Sequence, residues 1–265
     1  MTAITYIGHA TTLIEVGRSR ILTDPNFSSK VLLVKRSQPI QFDPGTLGNI
    51  SAIVISHAHF DHLDLNSFKY IKSSVPVFTP SGLADLIGKF VRNPIIELSH
   101  WVRHKLPDGT EISAVPAKHA GFRWSGLSYR SSNGYLIADS LSAVYFAGDT
   151  GYGPHFKEIA KFAGMAKPID IALLPIGGYS PAWFMRSRHL DPVEALQAFL
   201  ETGAKHMIPI HFGMFKLSLE RLSEPAEWLS RLAVERELIE QVHILNSGEI
   251  FRIDHSKIPT PKTTI

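Results

Sequence analysis

The chain contains no cysteine. That excludes disulfides, thiolate metal ligands and a cysteine nucleophile. It also has no apolar run long enough to cross a bilayer as a helix. Its first residues, Met1-Thr2-Ala3-Ile4-Thr5, show neither the basic n-region nor the apolar h-region of a secretory signal. Charge is sparse: 19% of 265 residues, a formal net charge of +3, and no Lys/Arg block of the kind that tracks nucleic acid. A nucleic-acid partner is therefore not expected, and the default location is the cytoplasm. Hydrophobic residues reach 44%, enough to bury a sizeable core.

What the chain has in quantity is histidine, with 13 in all. Three of them and an aspartate fall within six residues, His57-Ala58-His59-Phe60-Asp61-His62, directly behind the apolar run Ala52-Ile53-Val54-Ile55. At this histidine frequency an HxHxDH pattern arises by chance about one time in a thousand in a chain of this length. Imidazole and carboxylate are the ligand types of zinc and related ions. A cluster of them at the end of a buried strand points to a metal site.

The organisation is legible from periodicity. Strands are predicted over residues 4–7, 12–16, 20–23, 53–55, 75–79, 111–116, 134–138, 142–146, 169–174 and 206–210, with a final hairpin-like segment over 243–253. Helices are predicted over 65–73, 81–90 with Ser81 as N-cap, 155–162, from Asp191-Pro192 to Gly203, and 225–240. Residues 27–44 read as an irregular insertion. Residues 1–253 read as a single domain with helices outside mixed sheets, and 254–265 as a polar, frayed tail.

Other strand ends repeat the pattern of His57. Ala114-Val115-Pro116-Ala117-Lys118-His119 and Met207-Ile208-Pro209-Ile210-His211 each end in histidine, and Val144-Tyr145-Phe146-Ala147-Gly148-Asp149 ends in aspartate between glycines. Taken singly, His119 and His211 read equally well as hydrogen-bonded core histidines. Together with the motif upstream they read as ligands.

These residues resemble the metallo-β-lactamase superfamily, from Tyr6 to about Phe215. Within it, Gly8-His9-Ala10-Thr11, Leu22-Thr23-Asp24-Pro25, Trp183-Phe184-Met185, His189-Leu190-Asp191-Pro192 and Ile210-His211-Phe212-Gly213 are similar to the N-acyl-phosphatidylethanolamine phospholipase D branch. The ascorbate-lactonase branch is a more distant cousin. The resemblance implies an α+β fold, a four-layer αββα sandwich, with two divalent metal ions at one edge. It implies that His57, His59 and His119 hold the first metal, that Asp61, His62 and His211 hold the second, and that Asp149 bridges them. An imidazole–carboxylate set without sulfur suits zinc first, and tolerates manganese or iron.

Around this set stand residues with two readings each. His189 resembles the branch's additional active-site histidine, which would stabilise a transition-state oxygen or protonate the leaving group; it is otherwise a residue preceding a helix cap. Asp24 and His9 are candidates to orient the ligands from behind; Asp24 is otherwise a turn aspartate before proline, and His9 is equally open. Trp183, Phe184, Arg186 and Arg188 are candidates to pack an acyl chain and pair a phosphate, or else a loop folding its aromatics inward. Residues 30–36, with four apolar residues between lysines and arginine, would cover the site or touch a membrane interface, or else form a short structural strand. His100 and His104, at helix-like spacing, read as surface histidines.

The leading expectation is a metal-dependent hydrolase of a phosphodiester, in which a bridging hydroxide attacks a small-molecule or N-acyl-phosphatidylethanolamine-type lipid substrate. Asp61 orients the nucleophile as a ligand rather than acting as a free base. A lactonase or other carboxyl-ester hydrolase on the same site is the alternative enzyme, and a metal-binding regulatory protein the alternative without turnover. The sequence does not specify an oligomeric state.

Overall fold

Strict alternation builds the two sheets. In β1 (Thr2–Gly8), β2 (Thr11–Val16) and β3 (Ser19–Thr23), residues Ile4, Tyr6, Ile14, Val16 and Ile21 face one side, while Ile7, Leu13 and Leu22 face the other. The same period of two runs through β6 (Ala52–Val54), where Ala52 and Val54 point in and Ile53 points out. Between β3 and β6 lies a small hairpin of β4 (Lys30–Val31) and β5 (Val34–Lys35). The computed structural model describes residues 1–121, 123 and 131–254.

Among the described residues the first sheet has seven strands and is completed by β7 (Val77–Pro80), β8 (Ile95–Leu98) and the far C-terminal β15 (Ile250–Ile253), which pairs antiparallel with β1. The second has six: β9 (Arg103–Lys105), β10 (Glu111–Pro116), β11 (Asn133–Ala138), β12 (Ala143–Phe146), β13 (Ile171–Pro175) and β14 (His206–Ile210). Their inner faces meet in one apolar cluster that includes Tyr6, Val54, Phe146, Leu173 and Ile208. On the outer face of the second sheet pack α2 (His155–Gly164), α4 (Pro192–Thr202) and α5 (Glu224–Glu235), through Phe156, Ile159, Leu196, Phe199 and Leu229. The outer face of the first sheet is covered by α1 (Ala84–Ile87) and a 3-10 helix, Leu65–Tyr70, through Ile87 and Phe68. The short α3 (Ala182–Met185) follows β13. The result is the four-layer αββα sandwich, helices outside and two sheets within. No helix of the described residues is long and apolar enough to cross a membrane.

Several elements differ from the sequence expectation. The segment 65–73 is a 3-10 helix ending at Tyr70, and the helix expected over 81–90 shortens to α1. Ser81 does not cap it. The carboxylate of Glu97, on β8, accepts from the backbone N–H of Gly82 (2.9 Å) and Ala84 (2.8 Å) instead, a cap supplied from a neighbouring strand. Helix α5 stops at Glu235, where Glu237 turns to φ 58°. Residues 243–253 form no hairpin: only β15 is a strand, and its partner is β1. The strands β8 and β9 were not expected, and they carry the chain through 95–105, with His104 extended rather than helical. Of the tail expected over 254–265, only Asp254 lies within the described residues.

Candidate metal centre

The strands β1, β3 and β6 of the first sheet run parallel to one another, as do β10, β12, β13 and β14 of the second. Their C-terminal ends converge at one edge of the sandwich. His9 follows β1, Asp24 follows β3, and residues 57–62 follow β6. His119 follows β10, Asp149 follows β12 and His211 follows β14. Rigid strands thus deliver every candidate from a loop of a few residues. The loops curl sharply: His9, Asp24 and His211 have positive φ of 59°, 33° and 59°. Gly148 is also left-handed, and a Cβ there would collide with the Ser56 side chain, so only glycine lets Asp149 approach the motif.

All seven proposed ligands fall together. Nitrogen or oxygen atoms of His57, His59, His119 and Asp149 lie within 4.8 Å of one another, and so do those of His9, Asp61, His62 and His211. Asp149 sits between the groups, with its Oδ2 3.9 Å from His57 Nε2, 3.2 Å from His62 Nε2 and 3.3 Å from His211 Nε2. His189 joins at the side, its Nδ1 3.7 Å from the same oxygen, in a third grouping with Asp149 and His211.

The outer contacts choose the tautomers. His62 Nδ1–H donates to Asp24 Oδ2 at 2.7 Å, which turns Nε2 toward the cluster. The Ser56 hydroxyl donates to the same carboxylate at 2.5 Å and accepts from His57 Nδ1–H at 2.9 Å, which frees His57 Nε2 in the same way. His119 Nδ1–H donates to the Arg188 carbonyl at 3.0 Å. His9 Nε2 lies 2.9 Å from Asp61 Oδ2, and the His9 ring packs 4.1 Å from that of His211. Asp24 and His9 are therefore buried partners of the candidate ligands. The position of Ser56 was not anticipated, although it directly precedes the motif.

The electrostatics of the cluster divide: against burial, the carboxylates of Asp149 and Asp61 raise His62 and His211 above the usual imidazole range, while other rings are pushed down. Burial pushes His9 down to about 3, His59 to about 4 and His189 to about 3, so these rings are held neutral with lone pairs available. Burial alone would raise Asp149, but the imidazoles of His211 and His62 hold it well below the usual carboxylate range. His62 Nε2, Asp149 Oδ1, His189 Nδ1 and both ring nitrogens of His211 are buried with no hydrogen-bond partner. Such orphans each cost about 1–3 kcal/mol. Divalent ions at the two groups would satisfy them, and the nitrogen–oxygen donor set is one that zinc, manganese and iron accept.

The other candidates divide. His189 is 8% exposed and lines the same pocket as the cluster. Trp183 and Phe184 are 87% and 49% exposed on α3, neither folded inward nor lining that pocket. Arg186 is paired with Glu194 at 2.7 Å, and the Arg188 guanidinium lies over the Phe184 ring, so neither is aimed at the cluster. The pocket, about 370 Å³, is walled instead by Val31, Leu32, Phe60, Met185 and Leu217 above Asp61, Asp149 and His211. Within residues 30–36, Lys30–Lys35 form a short hairpin and only Val31 and Leu32 cover the pocket. His100 is exposed, with its Nε2 3.1 Å from the Ser132 carbonyl, and His104 packs against Phe78; neither belongs to the centre.

A family model described as "Beta-lactamase superfamily domain" matches residues 19–212, most of the chain and nearly all of the cluster. The chain belongs to the metallo-β-lactamase superfamily. Its similarity extends to an N-acyl-phosphatidylethanolamine-hydrolyzing phospholipase D 1 of Caenorhabditis elegans, 32% identical over 93% of this chain and 74% of that protein. A metal-dependent hydrolase of Aeropyrum pernix is 30% identical over 97% of this chain and 100% of its own length. An uncharacterized protein of Mycobacterium tuberculosis is 32% identical over 86% of the chain, which spans 63% of that relative's length. Among solved structures, Igni18, a metallo hydrolase of Ignicoccus hospitalis, superposes with a TM-score of 0.73 at 22% identity, covering 96% of this chain and 99% of that one. An isothiocyanate hydrolase from Delia radicum gut bacteria superposes at 0.76 and 16% identity, covering 95% and 99%. These likenesses establish the metallo-β-lactamase fold.

Proposed function

We propose that this metallo-β-lactamase superfamily member is a phosphodiesterase acting on an amphiphilic substrate through two divalent ions, zinc first. His57, His59 and His119 would hold one ion, Asp61, His62 and His211 the other, and Asp149 both. The observation that carries this reading is the central place of Asp149, within 3.9 Å of imidazoles from each group at the floor of an apolar pocket. When bound, the ions would supply a water activated near neutral pH and offset negative charge developing on a phosphoryl oxygen.

The chain's own residues do the rest. Asp61 is tied by His9 on one oxygen, which fixes its carboxylate plane toward the cluster. His189 offers an imidazole nitrogen to a substrate oxygen from the side of the pocket, buried and neutral, and so as a hydrogen-bond donor rather than an acid. Leu32, Phe60, Met185 and Leu217 exclude water from the reacting centre and give an apolar arm of the substrate a surface to lie on. The names of the Caenorhabditis elegans relative and of a Saccharomyces cerevisiae relative, 34% identical over 86% of this chain and 51% of that protein, make N-acyl-phosphatidylethanolamine the first lipid to test.

Purified protein is expected to carry about two metal equivalents and to cleave an aryl phosphodiester and N-acyl-phosphatidylethanolamine in preference to a lactone. His211→Ala is expected to lose most of that activity with an unchanged circular-dichroism spectrum. A preference for the lactone would transfer the site to carboxyl-ester hydrolysis, and metal-free protein with full activity would overturn the metal reading altogether.

A further inference from the structure

The β4–β5 hairpin has two features that its own folding does not call for. Its register sets Lys30 directly opposite Lys35, a like-charge pair that disfavours the hairpin. Among the described residues neither ammonium has an acidic partner. Its turn, Leu32–Leu33, is apolar and open, with Leu33 96% exposed. The same hairpin walls the catalytic pocket through Val31 and Leu32.

The other walls repeat this composition. Met185 lines the pocket from α3, and its neighbours Phe184 and Trp183 stand exposed. Leu217 lines it from a third side, next to Leu219, which is 72% exposed and tied to the α3 loop by its N–H to the Ser180 carbonyl. Scattered exposed leucines are ordinary, but this many large apolar side chains around one mouth form a patch. Cations stand beside it: Lys30 and Lys35 on the hairpin, and Lys69 in the adjoining cleft of about 760 Å³ that also holds the exposed Phe90.

We propose that this mouth docks on an anionic lipid bilayer, with Leu33 and Trp183 entering the interfacial layer and Lys30 and Lys35 facing headgroup phosphates. Against such a surface the Lys30–Lys35 repulsion becomes paired attraction, which a neutral apolar partner would not provide. Exposed apolar side chains flanked by lysines match an interface that is hydrocarbon within and phosphate without. The pocket then opens toward the layer from which an amphiphile would be drawn. In that sense the proposal rests on the lipid phosphodiester reading, but docking itself is measured without turnover.

The test is co-sedimentation of metal-replete protein with vesicles of phosphatidylcholine alone and of phosphatidylcholine mixed with phosphatidylglycerol, over a salt series. Wild type is expected to bind the anionic vesicles and to release with salt. Leu33→Ser is expected to weaken binding about tenfold, and Lys30→Gln and Lys35→Gln about fivefold each, while turnover of a soluble aryl phosphodiester stays at the wild-type rate in all three. Absence of vesicle binding, or binding that Leu33→Ser leaves intact, overturns docking. A shift of oligomeric state in Leu33→Ser without vesicle binding overturns it in favour of self-association. Vesicle binding with no phosphodiester turnover would leave docking standing and remove the catalytic reading.

Discussion

Asp24 shows how much a single buried carboxylate can organise. It is fully enclosed, and it accepts from the Ser56 N–H at 2.7 Å, from the Ser56 hydroxyl and from His62 Nδ1–H. Through Ser56 it also reaches His57, so one side chain orients a candidate ligand in each group. Asp24→Asn keeps the volume but removes the second acceptor oxygen and the charge that favours the Nδ1–H tautomer. It is expected to weaken metal binding about 10–100-fold, read by competition with a chromogenic chelator. Affinity equal to wild type would reduce Asp24 to a turn residue. Nothing local in Thr23-Asp24-Pro25 could decide this, because the residues it serves lie over thirty positions away. The motif from His57 to His62 needed no such help to stand out, since its candidate ligands are packed into six positions. The aromatic loop failed in the opposite direction: its composition suggested contacts, but Arg186 is engaged by Glu194 and Trp183 points to solvent.

Among elements, the long strands were legible because both faces are buried in alternation and the pattern repeats over five to seven residues. Short elements were not, because their stability comes from elsewhere in the chain: α1 is capped by Glu97 of β8, and β15 exists through its pairing with β1. The seam where β14 meets β15 has a chemistry of its own. His206 Nδ1 lies 3.0 Å from His243 Nε2, and the His243 ring packs 4.1 Å from Phe251. One ring must donate and the other accept. Burial, then the neighbouring His206, push His243 from 6.5 down to about 4. A base with a depressed folded pKa contributes stability that is complete above about 6.5 and is lost as pH falls toward 4. The melting temperature is therefore expected to fall across that window, and His243→Leu to flatten part of the fall. Parallel acid slopes for wild type and variant would show that the pair carries no linkage.

At the scale of the whole molecule, the candidate metal centre is a joint between the two sheets. His57, His59, Asp61 and His62 come from the first, and His119, Asp149, His189 and His211 from the second. An ion held by both binds the folded chain and has no comparable site in the unfolded one, so it stabilises by mass action, about 4 kcal/mol at a thousand times its dissociation constant. For a chain of this size each kcal/mol moves the melting temperature roughly 2–4 °C. Chelation is therefore expected to lower the melting temperature by on the order of 10 °C, and restored zinc to raise it again as the logarithm of its free concentration. The alternative is that the inter-sheet core of Tyr6, Phe146, Leu173 and their neighbours holds the sandwich alone. It predicts one melting temperature with and without metal, once metal analysis has shown the ions to be gone. The two outcomes also differ in where opening begins. If the ions are the joint, hydrogen exchange in the chelated protein should rise first at the strand ends around His57, Asp149 and His211, and leave the far ends of β1 and β12 protected.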